Sequence, residues 1–457
     1  MESLFTVASV LNGVETTVVL PSLFMYLMQL GGFRSDADEL ATAYALVLSM
    51  AVMGQVVGTT VANAVANYDG CRWMKATLLC GIVITMVGRV LYATAYLFSN
   101  PIVIVGASRI ISGLGGSSWS VTSIWQARIV SDSRRTHAVT MCTVGYLFGV
   151  LFGPLVNRAL DDVNVTIGAY HVDRYNAIGL LQVLFEAVNL VMVLTQFGFD
   201  RVSKHVSKET TYKPYTGLLC TLLTTFGTVT ILASIDMWFS PMCTTIFNMQ
   251  PTSISWVYMW ATGGAFLGTA LNAAVKKWVS PRYRALNVGF IPWSIGVVFI
   301  SGFFGARARY NMSKAELHFL AALIGGVTVP LIIEAKSSFS HDVNRIGNAG
   351  VWSSVWTYLD LAGTGTASVV MRAGVSELDQ GNLGSNRLLS PTLVWVYATL
   401  AIVILCAAVT HRAVFVPVLA VTMHPKDTDF TCEREQLKLE GARARLTGLV
   451  VYNDLVY

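Results

Sequence analysis

Eight ionisable side chains lie inside long apolar runs of this sequence: Glu15, Arg89, Arg109, Glu186, Asp236, Glu334, Asp360 and Arg372. At bilayer depth such a group costs about 2.5 to 3.5 kcal/mol on insertion scales, so each is expected to face a partner or a polar cavity. Burial favours the neutral form of a carboxyl and a nearby arginine favours the charged one. A carboxyl and arginine pair whose access changes can therefore take up and release a proton. Enzymatic chemistry has little support. No nucleophile with its base, metal cluster or nucleotide loop is evident, so neither a cofactor nor a metal is expected. The run Gly113 to Gly116 suggests a phosphate loop but lacks the following Lys-Ser/Thr.

The elements that must position these residues are apolar helices. The 457-residue chain is 54% hydrophobic and 12% charged, against roughly 25% charged in an average soluble domain. Apolar segments recur, each meeting the roughly 20 residues that a helix needs to cross a hydrocarbon core about 30 Å thick. They are expected near 3–30, 40–66, 75–98, 102–128, 138–158, 176–199, 215–240, 254–275, 285–305, 316–335, 350–374 and 392–418. The expectation is an all-α membrane protein of twelve transmembrane helices. The first span is too long for a signal peptide's apolar region and carries Glu15, so it reads as a retained helix. The seven cysteines form no C-x-x-C pair, and only Cys243 falls in a loop outside the cytosol. Disulfides and structural zinc are not expected.

Loop charge sets the orientation. With both termini cytosolic, the inner loops hold fifteen Lys and Arg, among them Arg72, Lys75, Arg134 and Lys276, and the outer loops hold seven, as the positive-inside rule requires. The sequons at Asn164 and Asn311 both fall outside the cytosol, as glycosylation demands. This bias accounts for most of the net charge of +5, so no nucleic-acid partner is implied. The basic loop 200–214 divides the spans six and six, giving an N-terminal bundle over 1–199, a cytosolic linker, a C-terminal bundle over 215–420 and a cytosolic tail over 421–457. Two six-helix halves are the plan of repeat-built transporters, with the substrate site between the halves near the midplane. The halves share no repeat visible by eye.

Two further patterns point to a family. In the fourth span, Arg109-Ile-Ile-Ser-Gly113-Leu-Gly115-Gly116 resembles the R-x-x-x-G-x-G pattern of the major facilitator superfamily. Gly145, Gly149 and Gly153-Pro154 resemble the G-x-x-x-G-P pattern of its fifth helix. The superfamily's loop between helices 2 and 3 is degraded here: "NAVANYDGCRW" has Asn63 and Asn67 where Gly and Asp would stand, keeping Gly70 and Arg72. The loop "KKWVSPRYR" between spans 8 and 9 is basic without an acid. "PSLFMYL", "GRVLYATAY" and "SRRTHA" are similar to the branch holding the lysosomal ceroid-lipofuscinosis transporter and the vacuolar SPX-linked transporters.

The resemblance implies a monomeric transporter of the endolysosomal or vacuolar membrane, or of the plasma membrane, moving a small molecule or an inorganic ion. It further implies that helices 1, 4, 7 and 10 line the cavity, carrying Glu15, Arg109, Asp236 and Glu334. Glu15 is near mid-span, while Asp236 and Glu334 are close to span ends. At about 1.5 Å per residue the Arg109 Cα lies roughly 8 Å from the level of Glu15, within reach of an extended arginine. The two are expected to form a transport-coupled pair, the bland alternative being that Arg109 only ties helices together. Arg89 and Glu186, on peripheral helices, are expected to be structural. Asp360, among small residues, is a further candidate for substrate contact or for helix packing. Gly145, Gly149 and Gly153 share one face and admit a neighbouring backbone, and Pro154 bends the span. Trp119, Trp125, Trp256, Trp260 and Trp352 read as interfacial anchors or cavity walls.

Three functions remain open: an alternating-access secondary transporter, a passive anion pathway in which Arg109 is an attractive charge, and a non-transporting receptor or scaffold. In the tail, Tyr452-Asn-Asp-Leu455 fits the pattern read by clathrin adaptors. Tyr452→Ala is expected to move the protein from endosomes to the cell surface, as seen by imaging. Undiminished endosomal retention would contradict the sorting role.

Overall fold

The computed structural model describes residues 2–31, 37–67, 73–116, 120–122, 125, 132–168, 170–197, 215–245, 247–278, 313–346, 355–356, 358–359 and 361–367, all within one compact unit, Met1–Val409. Its helices are α1 (Glu2–Val18), α2 (Leu20–Gly31), α3 (Ala37–Asn67), α4 (Met74–Thr94), α5 (Pro101–Gly116), α6 (Asp132–Ala159), α7 (Arg174–Gln196), α8 (Tyr215–Thr245), α9 (Pro251–Trp278) and α10 (Lys314–Ile346). Among the described residues five helices are long and apolar enough to cross a membrane, or six if α1 and α2 make one bent span.

The first expected span is broken: α1 and α2 meet at 41°. Pro21 is the cause, since it has no N–H for the carbonyl four residues back and its ring clashes there. At the break the Ser22 amide bonds to the Val19 carbonyl, and the Val18 carbonyl left without it accepts a 2.6 Å hydrogen bond from Asn157 Nδ2 of α6, which also donates to Ser22 Oγ at 3.0 Å. Such repair is required where no water is at hand.

One departure from an all-helical fold lies between α6 and α7. Strands β1 (Asn164–Ile167) and β2 (Tyr170–Asp173) pair antiparallel, turning at Gly168, whose φ of 65° suits glycine. The hairpin leads directly into α7, because the Asp173 side chain accepts hydrogen bonds from the Tyr175 and Asn176 amides and the Asp173 amide donates to Asn176 Oδ1, each at 2.9 Å. Asn164, the described sequon residue, is exposed on β1. At the far end of α7, Lys75 Nζ donates to the Leu194 and Phe197 carbonyls at 3.2 and 3.0 Å, where a cation complements the helix dipole.

Helix packing is governed by glycine. α1 runs along α6, α3 and α4 pack on α5, α4 packs on α7, and α8 and α9 pack on α10. The pairing of the second with the fourth span, α3 with α5, thus recurs six spans later as α9 with α10. Both contacts are made backbone to backbone: a Cβ on Gly54 or Gly113 would strike the Ile110 or Ala51 carbonyl, and one on Gly264 or Gly325 would strike Ala322 or Ala261. The repeat invisible in the residues is therefore present in the packing. Gly145, Gly149 and Gly153 of α6 face α1, where added Cβ atoms would meet Thr6, Val10 and Thr17. Outward, Val83, Val87 and Val90 of α4 form an exposed apolar stripe, as lipid contact requires.

Two side chains depart from their expected settings. Trp125 is 2% exposed, its ring centroid 4.4 Å from that of Phe5, so it is core rather than an interfacial anchor. Cys243 lies within α8 and is buried, because α8 continues past the expected end at 240 to Thr245. Gly149→Val is expected to destabilise the bundle by on the order of 1 to 3 kcal/mol, since α1 cannot yield without opening its seam with α6. Gly263→Ala, whose new Cβ would meet nothing within 4 Å, serves as the control. Thermal unfolding of the purified protein compares the two.

Candidate functional site

Glu15 sits on α1 just before the break and is 3% exposed. Its Oε2 lies 3.6 Å from Arg89 Nη2 on α4. From α7, the Glu186 carboxyl, itself 2% exposed, acts on the Glu15 carboxyl as a neighbouring like charge. Asn189 Nδ2 donates to Glu186 Oε2 at 3.3 Å, and Gln182 Nε2 donates to the Glu15 carbonyl at 2.7 Å. Gln182, Glu186 and Asn189 are spaced by four and three, so they form one polar face of α7 directed at α1 and α4.

The chemistry follows from counting protons. Oε1 of Glu15 is buried and has no donor. An ionised carboxylate only accepts hydrogen bonds, so two adjoining carboxylates cannot bond each other unless one carries a proton. Both acids are buried, and one guanidinium, that of Arg89, acts on the two. The arrangement suits one shared proton, which belongs to the pair rather than to either residue. With it, Glu15, Glu186 and Arg89 together are neutral.

The expected pair of Glu15 with Arg109 is not the one formed. α1 packs on α6 and α7, and α4 packs on α7, so the third and sixth spans bring their charges to α1. Arg109, on α5, instead sets its Cζ 5.3 Å from the Tyr92 ring centroid, and among the described residues it has no carboxylate within ion-pair distance. Arg89 and Glu186, expected to be structural, are the residues brought onto Glu15. The signal for them was present in "QVLFEAVN", whose polar residues recur at helical spacing within an apolar run.

Asp236 lies on α8 and Glu334 on α10, their side chains outside those described. Asp360, Arg372, Gly70, Arg72, Asn311, Tyr452 and Leu455 are outside the described residues. Pro154 lies inside α6, and Gly113 contacts α3.

Beside the hairpin, polar contacts link the two sequence halves. Asp161 receives Thr252 of α9 and pairs with Arg174 of α7. Arg158 Cζ sits 5.0 Å from the Trp256 ring centroid, a cation-π contact. Elsewhere, Tyr358 donates to Thr60 of α3 at 2.8 Å.

This architecture has solved counterparts. The xylose transporter from E. coli, in a partially occluded inward-open conformation, superposes with a TM-score of 0.65 at 12% identity, over 91% of this chain and 97% of that one. The human organic anion transporter TETRAN gives 0.63 at 14% identity, over 90% and 98%. A bacterial homolog of the human lysosomal transporter Spinster gives 0.60 at 12%, over 93% and 97%. The fold is that of the major facilitator superfamily. Residues 9–196 match the family model described as sugar (and other) transporter, a span that reaches from α1 to the end of α7 and includes Glu15, Arg89 and Glu186 together with Arg109. No curated protein matches the sequence.

Removing Arg89 should leave two buried acids without a cation. Arg89→Met is expected to cost on the order of 3 to 5 kcal/mol, and adding Glu15→Gln should recover part of the loss. Chemical unfolding of the single and double variants in one detergent checks this coupling.

Proposed function

We propose that the chain is a secondary transporter that moves a small solute across a membrane by alternating access, driven by protons carried on the Glu15 and Glu186 carboxyls. One observation carries this reading: two buried acids share one guanidinium inside a major facilitator bundle. A packing device would be matched one to one, whereas this cluster has a vacancy that a proton fills. The neighbouring fold of the E. coli xylose transporter, and of a structure titled as a D-xylose-proton symporter, supports such chemistry on this scaffold. The polar links among Asp161, Arg174 and Thr252, and between Arg158 and Trp256, are then contacts that opening on the hairpin side must break.

An endolysosomal location is part of the reading. It is supported by the residue runs similar to the lysosomal branch and by the fold likeness to the bacterial homolog of a human lysosomal transporter. With the termini cytosolic, the hairpin bearing Asn164 faces the lumen, where the asparagine is a glycan acceptor.

The test uses purified protein in proteoliposomes, with an imposed pH gradient, a solute panel outside and a pH dye inside. The wild type is expected to move protons when its solute is present. Glu15→Gln and Glu186→Gln should each abolish gradient-driven accumulation while solute exchange at equal pH survives. Intact accumulation and pH dependence in both variants would overturn the proposal.

A further inference from the structure

Three buried donors on α4 and α5 have no acceptor among the described residues. They are the Nε–H of Arg109, the Nε–H of Arg89 and the hydroxyl of Tyr92. Tyr92 is 2% exposed, and Arg109 lies over its ring. Arg89 and Tyr92 are three residues apart on α4, so they project from one face of it. Buried donors are ordinarily satisfied, and leaving one unmade costs more when it is charged. A set composed of donors, two of them cationic, calls for a group that only accepts.

The charge count points the same way. The titratable groups acting on this place are Glu15 from α1, Tyr26 from α2, Tyr44 from α3, Arg89 and Tyr92 from α4, Arg109 from α5, Tyr175 and Glu186 from α7, and Asp173 at the end of β2, whose carboxylate is engaged by the Tyr175 and Asn176 amides. With one proton shared between the acids, Glu15, Glu186 and Arg89 sum to zero and the charge of Arg109 is left over. We propose that Arg109, with the Arg89 Nε–H and the Tyr92 hydroxyl, seats a small oxyanion, a carboxylate or phosphate group. A guanidinium presents several N–H groups in the plane that such oxygens fit. The seat stands on the orphaned donors. Its linkage to transport rests on the proton-coupled reading above: losing the shared proton makes the acid cluster negative, which neutralises Arg109 and expels the anion. Proton and anion then travel together.

Calorimetric titration of the full chain tests this in maltoside detergent, free of phospholipid, with sodium acetate or sodium phosphate replacing sodium chloride at matched ionic strength. The two salts separate a carboxylate site from a phosphate site. Saturable binding of at least one is expected, weakened about tenfold or more in Arg109→Gln, less in Tyr92→Phe, and partly retained in Arg109→Lys. Repeating the titration at rising pH, in two buffers of different ionisation enthalpy, should show proton uptake with the anion once the pH is high enough to have removed the shared proton from the free protein, and none at any pH in Glu186→Gln. No saturable binding of either anion by folded wild-type protein would mean that the donors hold water only, and unchanged affinity in Arg109→Gln would place any binding elsewhere. Either result overturns the seat. Binding that depends on Arg109 but takes up no proton at any pH would leave the seat standing and overturn its linkage and the proton-coupled reading.

Discussion

Two buried carboxyl groups, Glu15 and Glu186, beside a single guanidinium impose a constraint that the rest of this protein accommodates. One guanidinium balances only one of them. In the reading proposed above a proton meets the imbalance, and a proton held at buried acids is released when their surroundings change. That condition is what couples a buried cluster to a moving scaffold.

The packing around the cluster serves this placement. Gly13 and Gly149 bring α1 and α6 so close that an added Cβ on either would strike the other's backbone, which leaves the opposite face of α1 for Glu15. Pro21 breaks the span just beyond, and Asn157 satisfies the carbonyl that the break frees. Gln182 then holds the Glu15 main chain from α7, so the acid is positioned by its own backbone as well as by its charge partners. The two seams of α1 thus have different chemistry, one of bare backbone contact and one of polar side chains, and a helix held in this way can shift along the first while it exchanges partners along the second.

Much of the fold was legible in the residues. The expected spans from 3–30 to 254–275, the one at 316–335 and the glycine pattern of the fifth helix correspond to described helices, because hydrophobic length and four-residue spacing are local properties, whereas 285–305, 392–418 and most of 350–374 lie outside the described residues. The break at Pro21 was legible in principle, since proline removes a helix bond wherever it stands, but apolar continuity masked it. The hairpin between α6 and α7 was not, as four-residue strands carry almost no periodicity. The site was half legible. Glu15 and Arg109 stood out as charges in apolar runs, yet their pairing depended on which helix packs against α1, a property of tertiary contacts that spacing along one chain does not contain. Glu186 illustrates the same limit from the other side: its polar face on α7 could be read, but assigning that helix to the periphery concealed its partner.

The account turns on the proton shared by Glu15 and Glu186. Infrared difference spectroscopy of the purified protein, recorded at neutral pH in ordinary and heavy water, observes it directly. The structure predicts a protonated-carboxyl C=O band that shifts on deuteration and disappears in both Glu15→Gln and Glu186→Gln, since either substitution leaves a single acid matched to Arg89. Absence of that band in the wild type, or its persistence in both variants, would contradict the account.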